Sequence, residues 1–343
     1  MGGCSIINAG GAIPVGCDME AAIVIIKSIA NVLAPGGSQA RLSILIFHRV
    51  LAQEDPLFPG EQDARRFDQI LSWVGRWFNV IALDDAVSRL ASGTLPARAA
   101  AITFDDGYAD NATHALPILQ RHGMTATFFV ATSFLDGGRM WNDTVIESIR
   151  AFPGDVLDLD DSDLGVHRLD SIDQRRKAIG VLLGRIKYLE PAKRNEAVAS
   201  VQRSVLSALP DDLMMSSEQV VQLRRGGMQV GAHTCSHPIL ARLPDSDARD
   251  EITIGKSVLE SLLQEPVVLF AYPNGKPGQD YLAEHVRMVQ QAGFAAAVST
   301  SPGVSSASTD PFQLPRFSPW DAARLRYGVR MLSNLRTVQP EMV

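Results

Sequence analysis

Apolar and polar positions along this chain follow two alternating periods. Short apolar runs at 42–47, 101–104, 125–131, 228–232, 267–271 and 294–299 read as buried strands, and 313–317 as a last, shorter one. Between them, apolar residues recur at roughly every third or fourth position, the mark of helices with one buried face. In 63–78 that stripe is Phe67, Ile70, Leu71, Val74 and Phe78. Further helices are predicted at 83–90, closed by Gly93 and Pro96, and at 112–122, stopped by Gly123. Ser216 and Gln219 form a capping-box start for a helix ending at Gly226-Gly227, and 247–264 and 281–292 complete the series. Strand followed by helix, repeated along the chain, predicts an α/β fold with a parallel sheet and helical crossovers.

The rhythm lapses between about 136 and 213. Helical segments at 144–151, 174–189 and 193–208, separated by polar turns, read as a helical insertion. The predicted organisation is an N-terminal extension over 1–40, a main domain over 41–330 and a tail over 331–343. The Gly-rich residues 1–18 look disordered. The apolar stretch 21–33 is too short to span a bilayer and lacks the basic flank and cleavage site of a secretory signal. A helix packed on the domain is expected there, with peripheral membrane contact as the alternative.

Polar motifs cluster at strand ends. His48, Asp105-Asp106, His233 and Tyr272-Pro273-Asn274 each follow a predicted strand directly. Parallel barrels assemble their sites at that end, whereas an open doubly wound sheet binds at one switch point. A barrel short of eight strands is therefore the expected architecture.

Size and charge agree with this picture. The 343 residues, 37.1 kDa in mass, suffice for one barrel, and 46% hydrophobic with 20% charged residues is ordinary globular composition. With 32 basic against 38 acidic residues, a formal charge of -6 and no dense basic stripe, a nucleic-acid partner is not expected. Cys4, Cys17 and Cys235 form no disulfide framework, which favours a reducing compartment, and Cys235 reads as a packing residue. The expected location is the cytoplasm, at the inner face of the membrane if peripheral contact occurs.

The chemistry follows from two motifs. Two adjacent carboxylates repel unless something positive sits beside them. His233 and His237, four residues apart in a turn that Pro238 helps to fix, can hold a metal ion that brings that positive charge. A catalytic zinc site takes three protein ligands and keeps one position open, a count met by two imidazoles and one of Asp105 or Asp106. Neighbours on an extended chain point to opposite sides, so one acid is expected to ligate and the other to act as general base.

Thr103-Phe104-Asp105-Asp106-Gly107-Tyr108, His233-x-x-Ser236-His237 and Phe270-Ala271-Tyr272-Pro273-Asn274-Gly275 together resemble the polysaccharide deacetylases, carbohydrate esterase family 4 with its NodB-homology domain, over about residues 41 to 320. The resemblance implies a distorted (β/α) barrel of about seven parallel strands. It also implies a hydrolase that removes acetyl groups from N-acetylhexosamines with a divalent metal, zinc first, cobalt or nickel otherwise. By motif position, Asp106, His233 and His237 become ligands, Asp105 the base, and the Tyr108 backbone N–H an oxyanion donor. Ala271 stands where many members carry an arginine held against the catalytic acid, and Arg316 is the expected substitute. The usual late Leu-x-His motif is missing. His48 in Ile46-Phe47-His48-Arg49 resembles the permuted acid of the exopolysaccharide deacetylases.

Tyr272, Asn274 and Trp141 are expected as substrate walls. His114, His122, His167 and His285 are expected to be solvated. The anticipated substrate is an N-acetylated glycan or a lipid-linked sugar precursor. The alternatives are a small cyclic imide or ureide on the same fold, and a non-catalytic carbohydrate-binding protein.

Overall fold

The computed structural model describes residues 15–318 and 321–343. Of the stretch expected to be disordered, 1–14 lies outside the described residues, and helix α1 (Val15–Leu33) already begins at its end. The main sheet has strands β1 (Leu42–Phe47), β2 (Asn79–Val80), β3 (Ala99–Phe104) and β4 (Thr127–Val130). After an antiparallel hairpin, β5 (Val156–Leu159) and β6 (Gly165–Arg168), it resumes with β7 (Gln229–Ala232), β8 (Leu269–Ala271) and β9 (Ala296–Val298). The order is β1-β3-β4-β7-β8-β9, all parallel, with the short β2 beside the first half of β3. The sheet curls into a distorted barrel. Residues 313–317 bridge its two edges: Leu314 pairs with Val298 of β9, and Phe317 with Leu45 of β1.

Alternation along the strands sorts side chains between two cores. Leu42, Ile44, Ala99, Ala101, Leu269, Ala271, Ala296 and Val298 point into the barrel. Leu45, Phe47, Ile102, Phe104, Phe128 and Phe270 point outward against the helices, with Phe104 and Phe128 stacked at 4.7 Å between ring centroids. The outer layer is α2 (Ala64–Trp77), α3 (Leu83–Ser92) and α4 (Leu116–Arg121) on one part of the sheet. Asp63 caps α2 by accepting from the Arg66 N–H at 2.6 Å, and Gly93 ends α3 at φ 68°.

The inserted segment contributes α5 (Trp141–Ala151), α6 (Ile172–Ile186) and α7 (Pro191–Arg203). With the β5–β6 hairpin they bury a separate core around Val145, Ile149, Leu182, Ile186 and Val201. The hairpin was not expected. Its strands are four residues each around an acidic turn, too short for their alternation to stand out. The remaining helices are α8 (Ser217–Arg225), with the predicted capping box formed, α9 (Asp245–Leu263), α10 (Ala283–Gln291) and α11 (Arg324–Asn334).

Helix α1 packs on the domain: Ile26 and Ala30 join the outer core beside α2 and α11, while Val24, Ile25 and Val32 stay exposed. Among the described residues no helix is long and apolar enough to cross a membrane. His167 and His285 are buried rather than solvated. The His167 Nε2 lies 3.0 Å from the Leu164 carbonyl, and the His285 Nδ1 accepts from the Leu282 N–H at 2.9 Å.

Candidate metal centre and cleft

The carboxyl ends of the parallel strands converge on one cleft. At the end of β3, Asp105 continues the inward face of Ala101 and Thr103, and its N–H is held by the Phe47 carbonyl at 3.0 Å. Arg316, 1% exposed, clamps it. Nη1 and Nη2 each donate to one carboxylate oxygen at 2.6 Å, and Nε donates to the Ser299 carbonyl at 2.9 Å. The expected substitute for the arginine missing at Ala271 is therefore in contact. It enters from the segment that bridges the barrel edges, into an interior kept open by small side chains such as Ala99, Ala101 and Ala271. Burial opposes ionisation of Asp105, but Arg316 and then His233 hold its carboxyl below the usual range.

Asp106 departs from the strand. Its φ is 76° and that of Gly107 is 91°, so the chain turns sharply, and a Cβ on Gly107 would press on Val130 at 3.1 Å. That turn brings Asp106 Oδ1 to 3.5 Å from His233 Nε2 and 3.3 Å from His237 Nε2. Asp105 Oδ2 lies 4.0 Å from the same His233 atom. The expectation that the two acids face opposite sides thus yields to the turn: both approach His233, and Asp106 alone approaches both imidazoles.

The histidine loop is braced from behind. Thr234 and His237 have φ of 63° and 53°. The Glu251 carboxylate on α9 accepts from the N–H groups of Cys235 and Ser236, both at 2.8 Å, and from the Ser236 hydroxyl at 2.6 Å. Helix α9 comes so close that a Cβ on Gly255 would sit 2.8 Å from the Thr234 carbonyl group. Cys235 is a half-buried free thiol outside the ligand group.

Several features fit a divalent cation. One ligand atom each from Asp106, His233 and His237 lies within 4.8 Å of the others, and the buried Asp106 Oδ1 accepts no hydrogen bond. His233 donates from Nδ1 to the Ala271 carbonyl at 2.8 Å, which fixes the tautomer with the Nε2 lone pair toward Asp106. Burial lowers the His237 pKa to about 4 against the pull of Asp106, so this imidazole is neutral at pH 7. For His233 burial acts the same way, but Asp105 and Asp106 outweigh it and raise the pKa. Negative charge is in surplus here.

Two lobes open from this centre. The larger, about 340 Å³, is walled by His48, Asp105, Asp106, Tyr108, Asn274 and a set of charged residues from 49–61 and 142–150. His48 is exposed there, and its backbone carbonyl accepts from Asn111 Nδ2 at 2.9 Å. Asn111 opens one wide π turn (Asn111–Ala115) that splits the helix predicted at 112–122. Tyr108 is pinned: Met215 N–H donates to the Gly107 carbonyl at 2.9 Å, and Ala109 N–H to the Leu213 carbonyl at 2.9 Å. A trans peptide directs the Tyr108 N–H away from that segment, and no partner engages it among the described residues.

The second lobe, about 260 Å³, lies under the insertion, and Trp141 is among its lining residues. Asn274, at φ 60°, borders both lobes. Tyr272 borders neither. It is fully buried, stacked on Tyr281 at 3.9 Å, with its hydroxyl donating to the Phe312 carbonyl at 3.1 Å. Two residues beyond Phe270, it shares that residue's outward face, a signal present in the sequence.

The main residues missed by sequence reasoning are Arg49, Asp110 and Asp143. Arg49 pairs with Asp110 at 2.8 Å and lies 4.5 Å over the Tyr108 ring, while the Tyr108 hydroxyl donates to Asp143 Oδ1 at 3.1 Å. Burial is the largest cause that raises the Asp143 pKa to about 7, and its Oδ2 has no partner. Asp143 was legible only as part of Trp141-Asn142-Asp143, because its partners lie on separate elements.

The polysaccharide deacetylase family model matches residues 92–164 and 186–297, more than half of the chain. YxkH of Bacillus subtilis (strain 168), provisionally named as a polysaccharide deacetylase, is 20% identical over 279 residues, covering 81% of this chain and 71% of its own. Among solved structures, Streptococcus pyogenes deacetylase PplD in complex with acetate has a TM-score of 0.57 at 17% identity, over 85% of this chain and 98% of that one. IcaB from Ammonifex degensii has 0.55 at 17% identity, over 86% and 97%. The BpsB deacetylase domain from Bordetella bronchiseptica has 0.51 at 16% identity, over 81% and 95%. With these matches and the distorted barrel, the chain belongs to the polysaccharide deacetylase family and is a hydrolase of that kind.

Proposed function

We propose that this enzyme hydrolyses the acetamide of an N-acetylhexosamine unit within a polysaccharide or its precursor, releasing acetate and a free amine. The carrying observation is the cluster of Asp106, His233 and His237 around an unsatisfied carboxylate oxygen, with Asp105 held beside it by Arg316. A divalent ion, zinc first and cobalt or nickel otherwise, suits that donor set, and when bound it supplies Lewis-acid polarisation of the acyl group and acidifies water.

The chain's own residues do the rest. Arg316 fixes the plane of the Asp105 carboxylate, which takes the proton of the attacking water. The free Tyr108 N–H donates to the acyl oxygen as it gains charge. His48, on the lobe wall, gives a proton to the departing nitrogen. Asn274, between the lobes, meets sugar hydroxyls, and Trp141 offers an aromatic wall. A cleft that continues on both sides of the centre favours a substrate longer than one ring over a small cyclic imide or ureide.

The test is bound metal and acetate release from N-acetylhexosamine oligosaccharides. Asp105→Asn is expected to keep the metal and lose turnover, His233→Ala to lose both, and His48→Ala to slow turnover with metal retained. Full activity in Asp105→Asn would sink the mechanism.

A further inference from the structure

The lobe under the insertion has a charge character the reaction does not use. Among its lining residues the sole carboxylate is Asp106, at the metal centre, while Lys187 at the end of α6 and Arg194 on α7 supply two cations. Neither forms an ion pair among the described residues. Neighbouring arginines of the insertion are engaged: Arg150 with Asp55 and Glu147, Arg175 with the Ile149 and Phe152 carbonyls, Arg185 with the Leu164 carbonyl. Arg194 makes no side-chain hydrogen bond, its Nε is buried without a partner, and its guanidinium lies 5.8 Å from the Trp141 ring centroid. Burial lowers its pKa, the expected consequence of a cation removed from water without a counter-charge.

The corner carrying these cations is fastened to the barrel. Between them in sequence, Tyr188 accepts on its hydroxyl from Gln279 Nε2 at 2.8 Å, and Arg242 lies 5.9 Å over its ring. The cations are thus held over a lobe that shares Asp106 and His237 with the metal centre and Asn142 and Asn274 with the larger lobe.

We propose that Lys187 and Arg194 form a subsite for an anionic group, a carboxylate or phosphate, borne by the substrate next to the sugar that is deacetylated. Arginine matches the planar or forked oxygens of either anion, and lysine adds a point charge. The proposal rests on the deacetylase reading above and adds a substrate class to it: acidic rather than neutral glycans.

Binding can be measured apart from turnover. The full chain, with Arg194→Gln, Arg194→Lys and Lys187→Gln variants, would be titrated calorimetrically with three probes. These are a neutral N-acetylglucosamine tetrasaccharide, a tetrasaccharide alternating glucuronate with N-acetylglucosamine, and a phosphorylated N-acetylglucosamine oligosaccharide. The wild type is expected to bind at least one anionic probe about tenfold more tightly than the neutral one at low salt. That preference should shrink with ionic strength, fall toward unity in both Gln variants and survive in part in Arg194→Lys. Preference for the uronate alone identifies a carboxylate subsite, and for the phosphorylated probe alone a phosphate subsite. Equal affinity for all three probes, or a preference untouched by both Gln substitutions, overturns the proposal. Acetate release is followed in parallel. Release from none of the probes, with the binding preference intact, counts against the deacetylase reading and leaves the subsite standing. Release without preference does the reverse.

Discussion

The barrel end and the insertion above it enclose the same cleft but are built differently. At the barrel end nearly every polar group is braced: Asp105 by Arg316, His233 by the Ala271 carbonyl, and the 234–237 loop by Glu251. The insertion builds a second small core, joined by Leu57, and is tied to the rest of the chain by contacts such as Arg150 with Asp55 and Tyr188 with Gln279. It leaves Arg194 unpaired over the opening. Backbone strain is denser around the centre, although Asp136 and Asp163 of the insertion also hold positive φ. Asp106, Thr234, His237 and Asn274 all hold positive φ at the barrel end. Such geometry persists only where surroundings over-determine it, which suits reaction chemistry and makes the insertion the freer place to vary selectivity.

Substitutions can break this contrast. The largest effect is expected at Arg316. Arg316→Met leaves Asp105 buried and unpaired, and should cost about 3–5 kcal/mol in denaturant unfolding together with most of the acetate release. Arg316→Lys keeps the charge but loses the two-pronged contact, so it should recover stability better than rate. Glu251→Gln loosens the histidine loop and is expected to weaken metal affinity by about 10–100-fold in chelator competition.

Asp143 gives a smaller, pH-dependent effect. Its pKa is raised to about 7 from 3.8 on folding, so the folded chain binds more protons than the unfolded one between those values. The favourable contribution is present below about pH 4 and is lost as pH rises through 7. Asp143→Asn should therefore gain stability relative to wild type between pH 5 and pH 8, by about 1–3 kcal/mol, in melts at a series of pH values. The smallest effect belongs to the insertion rim, where Arg150 is 38% exposed on its side chain. Arg150→Ala should cost about 1 kcal/mol or less and fade with salt. A cost as large as that at Arg316 would erase the distinction between the regions.

Much of the barrel end was legible because its signals are local. Leu42–Phe47 is a strand of six buried residues, and the run leading to Asp105 is apolar but for Thr103 until the carboxylates begin. Asp105, Asp106, His233 and His237 stand in compact motifs, and Arg316 was reachable by asking what replaces the arginine absent at Ala271. What escaped depends on encounters between distant segments. Arg49 meets Asp110, Asp143 meets Tyr108, and Glu251 meets Cys235 and Ser236, and no periodicity marks such pairs. Tyr272 differs for another reason: it stands beside a motif of the cleft, but the strand parity it shares with Phe270 turns it outward into the core. The lone cations of the second lobe were invisible because a lysine and an arginine on helices ordinarily belong to a solvated face.

Residues 313–317 join β9 to β1, and Arg316 lies within them. Sealing the barrel and orienting Asp105 are consequently one event. With this seam open, Asp106, His233 and His237 can still stand together, but the Asp105 carboxylate is without a guanidinium. The geometry thereby couples closure to chemistry: whatever opens this seam also takes the guanidinium away from Asp105.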